Sequence, residues 1–255
     1  MVHAPSLPPN AAMRWSVVRK FVDRLAPKTI LEIGCGQGAF GARLAPRADY
    51  LAVEPDATSF AVAQRRIESA GGRIRNATSD AIDSATTYDL VCAFEVLEHI
   101  EDDAAALKSW RDLVAPQGRL LLSMPAWQER FNHWDTMVGH YRRYSPDQCR
   151  DVLAIAGFTD VEVVLYGWPL GYATENVRSR IAARRGRASE GGGTGSGGYD
   201  STSMQQRTAS SGRVLQPKAV AGMAVQLATG PFIALQRLRP THGTGLVVCA
   251  TPTRP

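Results

Sequence analysis

The sequence predicts an α/β fold, a mostly parallel sheet wound with helices on both faces. Three observations carry this. Short apolar runs alternate with stretches of helical periodicity through residues 11–125, the pattern of repeated strand–helix–strand units. The run YDLVCAFEV from Tyr88 is almost continuously apolar, as a strand is when helices cover both of its faces. The run ILEIGCGQGAFG, from Ile30 to Gly41, ends in clustered glycines, which let a backbone approach a ligand with no Cβ in the way.

Each element then has its own warrant. Residues 11–26 place apolar side chains at helical spacing and stop at Pro27, so they predict an amphipathic helix. TILEIG from Thr29 is the first strand. Residues 38–45 open a helix that Pro46 ends. YLAVE from Tyr50 is the second strand, broken by Pro55, and residues 57–70 form a helix ending on Gly71 and Gly72. RIRNAT from Arg73 is a short third strand and YDLVCAFEV the fourth. A helix over 102–114, the turn APQG and the strand RLLLSMP from Arg119 follow.

Beyond Pro125 the pattern loosens. Residues 126–145 read as a polar and aromatic loop. Ser145 and Pro146 start a helix as N-cap and first residue, which ends at Gly157. DVEVVLYGW from Asp160 is a strand, and 173–184 look helical. Residues 186–213 are rich in Gly and Ser and predict a flexible insert. An apolar run over 218–236 and a last strand, GLVVCAT from Gly245, complete the chain. The expected organisation is one domain over 1–185 and 214–255, with a ligand-binding core at 10–125 and a substrate loop at 126–145.

Length and composition set the class. A chain of 255 residues fits one α/β domain with an appendage. The first residues carry no Lys or Arg before Arg14 and no apolar h-region, so a cytoplasmic location is expected. Cys35, Cys92, Cys149 and Cys249 are scattered, as in a protein with reduced thiols. No metal-ligand spacing appears among Cys and His, and no metal is expected. The net charge of +5 is uneven: residues 1–170 carry 18 Lys/Arg against 21 Asp/Glu, and residues 171–255 carry 11 against 3. Basic character thus belongs to the C-terminal third. With an acidic core and no RNA-recognition module, a nucleic-acid partner is not expected.

The glycine loop admits two readings. Gly34, Gly36 and Ala39, or Gly36, Gly38 and Gly41, fit the dinucleotide spacing, and Glu54 lies where a ribose ligand belongs. A nicotinamide-dependent oxidoreductase is therefore one alternative. Glu32 argues the other way, because an acid two residues before the first glycine suits a cationic group or an amine.

The rest of the chain carries a resemblance. ILEIGCGQG, AVEPD, SDA, FEVLEH and LVAPQGRLLLSMP stand in this order at ordinary spacing. They resemble the motifs of the class I S-adenosylmethionine-dependent methyltransferases, most of all the small-molecule branch with the ubiquinone-type enzymes. The resemblance covers about residues 10–170 and returns at the last strand. It implies a Rossmann-like sheet of seven strands whose last strand is antiparallel. It implies S-adenosylmethionine as cofactor and methyl transfer to an O or N atom of a small-molecule acceptor. A non-catalytic cofactor-binding protein on the same fold is the second alternative.

The resemblance also assigns roles. Gly34, Cys35, Gly36 and Gly38 line the cofactor, and Glu32 takes its amino-acid end. Glu54 accepts the ribose hydroxyls, Asp80 the adenine amino group, and Ala81 meets the ring. Glu95 and His99 begin the loop over the sulfonium. On the substrate loop, His140 and His133 are candidate bases, with Asp135 a candidate bond partner of His140. Trp134, Tyr141, Arg143 and Tyr144 are candidates for the acceptor pocket. The arginines from Arg178 to Arg187, with the apolar run after them, suit either a lid with solvated arginines or peripheral contact with an anionic membrane.

Overall fold

The computed structural model describes residues 4–190 and 219–253. Seven strands form one sheet: β1 (Thr29–Ile33), β2 (Asp49–Val53), β3 (Arg73–Arg75), β4 (Tyr88–Phe94), β5 (Val114–Pro125), β6 (Phe158–Gly167) and β7 (Gly243–Pro252). Their order is β3-β2-β1-β4-β5-β7-β6. The first five pair in parallel, while β7 runs antiparallel between β5 and β6. The chain reverses strand order beside β1, so the ends of β1 and β4 open a crevice, where ligands bind in doubly wound sheets.

Successive strand residues face opposite sides of the sheet. Leu31, Val91, Leu122 and Val248 pack on one face with Leu107 and Trp110 of α4 (Asp103–Asp112) and Leu153 of α6 (Pro146–Ile155). Ile30, Leu90, Leu121 and Val247 pack on the other with Val18 and Phe21 of α1 (Pro9–Leu25), Leu44 of α2 (Gly41–Leu44) and Ile67 of α3 (Ala57–Glu68). All four cysteines are buried and free.

The differences from expectation are local. The helix predicted over 38–45 shrinks to α2 and a 3-10 turn over Ala45–Arg47. The predicted turn APQG is instead an irregular start of β5, with a register shift where it pairs with β4. The substrate loop contains a helix, α5 (His133–Val138). Asn132 and Asp135 form a capping box that starts it, a signature hidden among aromatic residues. The helix predicted at 173–184 runs from Leu170 to Glu190 as α7. It takes in residues 186–190 of the predicted insert, and residues 191–213 lie outside the described residues. The apolar run forms α8 (Ala219–Leu235), which packs Phe232 and Ile233 against the α1 side of the core. Among the described residues, no helix is long and apolar enough to cross a membrane.

Candidate active site

A cavity of about 640 Å³ opens over the ends of β1 and β4. At one end the chain leaves β1 through Gly34 (φ +67°) and Gly36 (φ +54°). A Cβ on Gly34 would lie 2.7 Å from Val96 Cγ2, whereas nothing lies within 4 Å of one on Gly36. Gly34 is therefore demanded by its neighbour, and Gly36 leaves a cradle on the cavity wall. Cys35 also lines the cavity. Gly38 does not: its Cβ would meet Ala63 at 3.0 Å, so this glycine packs the loop onto α3 rather than touching a ligand.

Glu54 and Glu32 are buried in the cavity wall. Glu54 accepts the Gly36 amide on Oε2 at 2.7 Å and the Asp56 amide on Oε1 at 2.9 Å. Burial raises its pKa and these two amides oppose the shift. Glu32 accepts the Tyr50 hydroxyl. Burial, opposed by Tyr50 and Arg14, pushes its carboxyl up to about 7. The expectation for Asp80 and Ala81 needs correction. Both are exposed on a 3-10 turn over Ser79–Ala81, and the cavity is lined there by Ala77, Thr78 and Ser79.

At the other end, Glu95 steps off β4 with φ +58°, a conformation that costs a non-glycine residue about 1–3 kcal/mol. The turn brings its carboxylate 2.9 Å from Arg14 Nη1 and lets it accept Ser123 Oγ at 3.1 Å. Burial would raise the Glu95 pKa, but Arg14, His140 and Ser123 outweigh it and hold the group ionised. Glu98 is fully buried, and neither of its oxygens has a hydrogen-bond partner among the described residues. Burial first, then Glu95, pushes its pKa well above the carboxylate range.

His140 projects from the end of the substrate loop. Its Nδ1 lies 2.7 Å from Asp135 Oδ1, and its Nε2 lies 3.9 Å from Glu98. Asp135 also accepts Arg143 Nε at 2.9 Å, Arg143 Nη2 at 2.7 Å and the Asn132 amide at 2.9 Å. Burial would raise the Asp135 pKa, but His140 and Arg143 lower it below the usual value. An ionised carboxylate only accepts, so in neutral His140 the proton sits on Nδ1 and the lone pair on Nε2. His99 stacks edge-on to His140 with ring centroids 4.6 Å apart, and its Nδ1 lies 3.2 Å from the Gly139 carbonyl. Burial and His140 lower its pKa to about 4.

Glu98, His99 and His140 also have one ligand atom each within 4.8 Å of one another. A carboxylate and two imidazoles form a donor set for a divalent transition metal. No metal-ligand spacing is visible in the sequence, because residues 98 and 99 meet residue 140 only after the substrate loop folds back.

The remaining candidates divide. Trp134 and Arg143 line the cavity, and Arg143 is held by Asp135 and Glu175. His133 is exposed outside the cavity lining, because the capping box turns Asp135 inward and the first residue of α5 outward. Tyr141 is 41% exposed and outside the lining, so it does not wall the pocket. Tyr144 is buried in the core and donates its hydroxyl to Asp103 at 2.8 Å, a packing role. Arg14, Tyr166, Glu175 and Arg178 line the cavity without having been singled out for it. They lie on α1, β6 and α7, and no local pattern marks a helix residue that topology carries to a distant crevice.

A family model described as a methyltransferase domain matches residues 11–163. The ubiquinone biosynthesis O-methyltransferase of Azorhizobium caulinodans is 36% identical over 98 residues, covering 37% of this chain and 39% of that protein. The Rhodopseudomonas palustris enzyme of the same name is 32% identical over 124 residues, covering 44% and 48%. The chain thus spans less than half the length of these relatives. Among solved structures, Haemonchus contortus phosphoethanolamine N-methyltransferase 2 superposes with a TM-score of 0.56 at 16% identity, covering 94% of this chain and 53% of that one. The DhpI–SAH complex gives 0.53 at 15% identity, covering 95% and 85%. At such identities these two likenesses establish fold alone. The family match takes in the glycine loop, Glu54, Glu95, Glu98, His99 and His140, and by it the chain belongs to the methyltransferase domain family.

Proposed function

We propose that the protein transfers a methyl group from S-adenosylmethionine to an oxygen or nitrogen of a small-molecule acceptor, with His140 taking the acceptor proton. The observation that carries this reading is the Asp135–His140 pair on the wall of the cavity that also contains the glycine loop, Glu32 and Glu54. These residues fit the cofactor. Gly36 leaves open the space a Cβ would occupy, and Glu32 is a buried carboxyl suited to an ammonium. Glu54 is pre-oriented by two amides with lone pairs remaining for hydroxyls. When bound, S-adenosylmethionine supplies a methyl group activated by a sulfonium.

The chain's own part is alignment and proton removal. Asp135 holds Nδ1 of His140, which leaves Nε2 as the acceptor on a ring that lines the cavity. As the acceptor oxygen or nitrogen gains the methyl group, its proton passes to Nε2, and Asp135 stabilises the imidazolium. Buried Phe40 and Phe94 and half-buried Trp134 make much of the wall apolar, which limits water near the reacting atoms. The test is incubation of the purified protein with methyl-labelled cofactor and fractionated extract, with mass spectrometry of the labelled product. Cofactor binding without label transfer to any fraction would favour a non-catalytic binding protein.

A second reading is favoured by one observation, the unpartnered buried carboxyl of Glu98 beside His99 and His140. In it these three residues hold a divalent cation and His140 is a ligand rather than the base. Activity abolished by a chelator and restored by Zn²⁺, Mn²⁺ or Mg²⁺ would select it. Full activity after exhaustive chelation would leave the Asp135–His140 base.

A further inference from the structure

We propose that the acceptor carries an oxyanion, a carboxylate or phosphate, and that Arg178 is the residue that binds it. This rests on the methyltransferase reading of the same cavity. Arg14 pairs with Glu95, Arg143 with Asp135 and Glu175, and Arg130 with Glu175. Those three arginines and three carboxylates balance.

Arg178 has no such partner. It projects from α7 into the cavity lining, and among the described residues no carboxylate forms an ion pair with it. Its guanidinium instead lies over Trp134, 5.7 Å from the ring centroid. A guanidinium does not escape burial by losing its proton, unlike an amine or an imidazole. Desolvation lowers its pKa, and attraction to Glu95, Tyr166 and Glu175 does not fully restore it against that burial and the smaller repulsion from Arg14. A fixed cation half-removed from water is unfavourable until an anion meets it. Arg14 adds a second open donor, because its Nε is buried without a hydrogen-bond partner. The guanidinium fork matches the paired oxygens of carboxylate or phosphate. The aromatic face of Trp134 holds the cation in place.

The same contact revises the lid expectation for the basic C-terminal third. Its first arginine is turned inward to the cavity rather than outward to solvent.

The experiment is calorimetric titration of the full chain, with and without S-adenosylhomocysteine, using sodium benzoate, inorganic phosphate and neutral benzamide in a low-chloride buffer. Wild type should bind benzoate or phosphate at least about tenfold more tightly than benzamide, and Arg178→Gln should lose about tenfold or more of that affinity. Arg178→Lys should recover part of it, while S-adenosylhomocysteine affinity stays within about twofold across the variants. Preference for benzoate points to an acid acceptor and preference for phosphate to a phosphorylated one. Failure of both anions to bind wild type, or equal anion affinity in Arg178→Gln, would overturn the proposal. Failure of wild type to bind S-adenosylhomocysteine would instead sink the methyltransferase reading, and the titrations without it would still report on Arg178.

Discussion

Nδ1 of His140 lies 2.7 Å from Oδ1 of Asp135, and the same carboxylate takes three more bonds from Arg143 and Asn132. One buried aspartate thus orients the candidate base and neutralises a buried arginine. These roles separate on mutation. His140→Ala should lower kcat by about 10²–10⁴-fold with little change in cofactor affinity. Asp135→Asn should also lose activity, and it should destabilise the fold by about 3–5 kcal/mol because Arg143 loses a charged partner. Kinetics and urea unfolding of both variants check this. A fully active His140→Ala enzyme removes it from the reaction.

Glu54 is predicted to govern cofactor affinity. Its carboxylate holds the Gly36 amide and keeps lone pairs toward the cavity. Glu54→Ala should weaken S-adenosylhomocysteine binding by about 1.5–3 kcal/mol, the worth of hydrogen bonds to a charged group. Calorimetry measures it, and circular dichroism should show the fold retained. Unchanged affinity would show that this acid does not meet the ligand.

Glu32 makes stability and binding depend on pH. Its folded pKa of about 7 lies above the ordinary carboxyl value of 4.5. Between those values the native state binds the proton more tightly than the unfolded chain does. Its contribution therefore falls as pH rises from about 4.5 to 7, and is constant above that. The total is about 3 kcal/mol at 1.36 kcal/mol per unit. His99, lowered to about 4, works oppositely, and its contribution is lost as pH falls from 6.5 to 4. Glu32→Gln should therefore be more stable than wild type above pH 7 and should gain least near pH 4.5. A cationic ligand group beside Glu32 should release its proton, so wild-type cofactor affinity should rise from pH 6 to 8 while that of Glu32→Gln stays flat. Parallel stability curves for the two proteins would count against the shift.

The two loop glycines should fail in different ways. Gly34→Ala places a methyl 2.7 Å from Val96 Cγ2 at φ +67° and should lower stability by about 1–3 kcal/mol. Gly36→Ala meets no atom within 4 Å. It should carry only the left-handed penalty of about 1 kcal/mol and should weaken cofactor binding instead. Thermal unfolding beside calorimetry separates the two, and equal profiles would contradict the distinction.

What the sequence determined by itself is the framework. Strand period, glycine turns and breaker prolines are local signals, so β1, β2 and β4 stand where they were expected, as do the glycine loop, Glu32 and Glu54. The order of motifs was enough to name the methyltransferase class before any coordinate. The acceptor end was another matter. Both His133 and His140 lie on one aromatic stretch, and nothing local distinguishes them. Only the capping box of α5 sends Asp135 and His140 inward and leaves His133 in solvent. Tyr144 looks like a pocket residue until its hydroxyl is seen on Asp103 in the core. Arg14 and Arg178 stand 164 positions apart on two helices. They line one cavity because β6 runs in the same direction as β5, ends on the crevice side of the sheet and is followed directly by α7. Hydrogen bonding and burial along a segment are written in neighbouring residues. The convergence of charges from distant segments is decided by how the sheet closes, and only the tertiary structure holds that information.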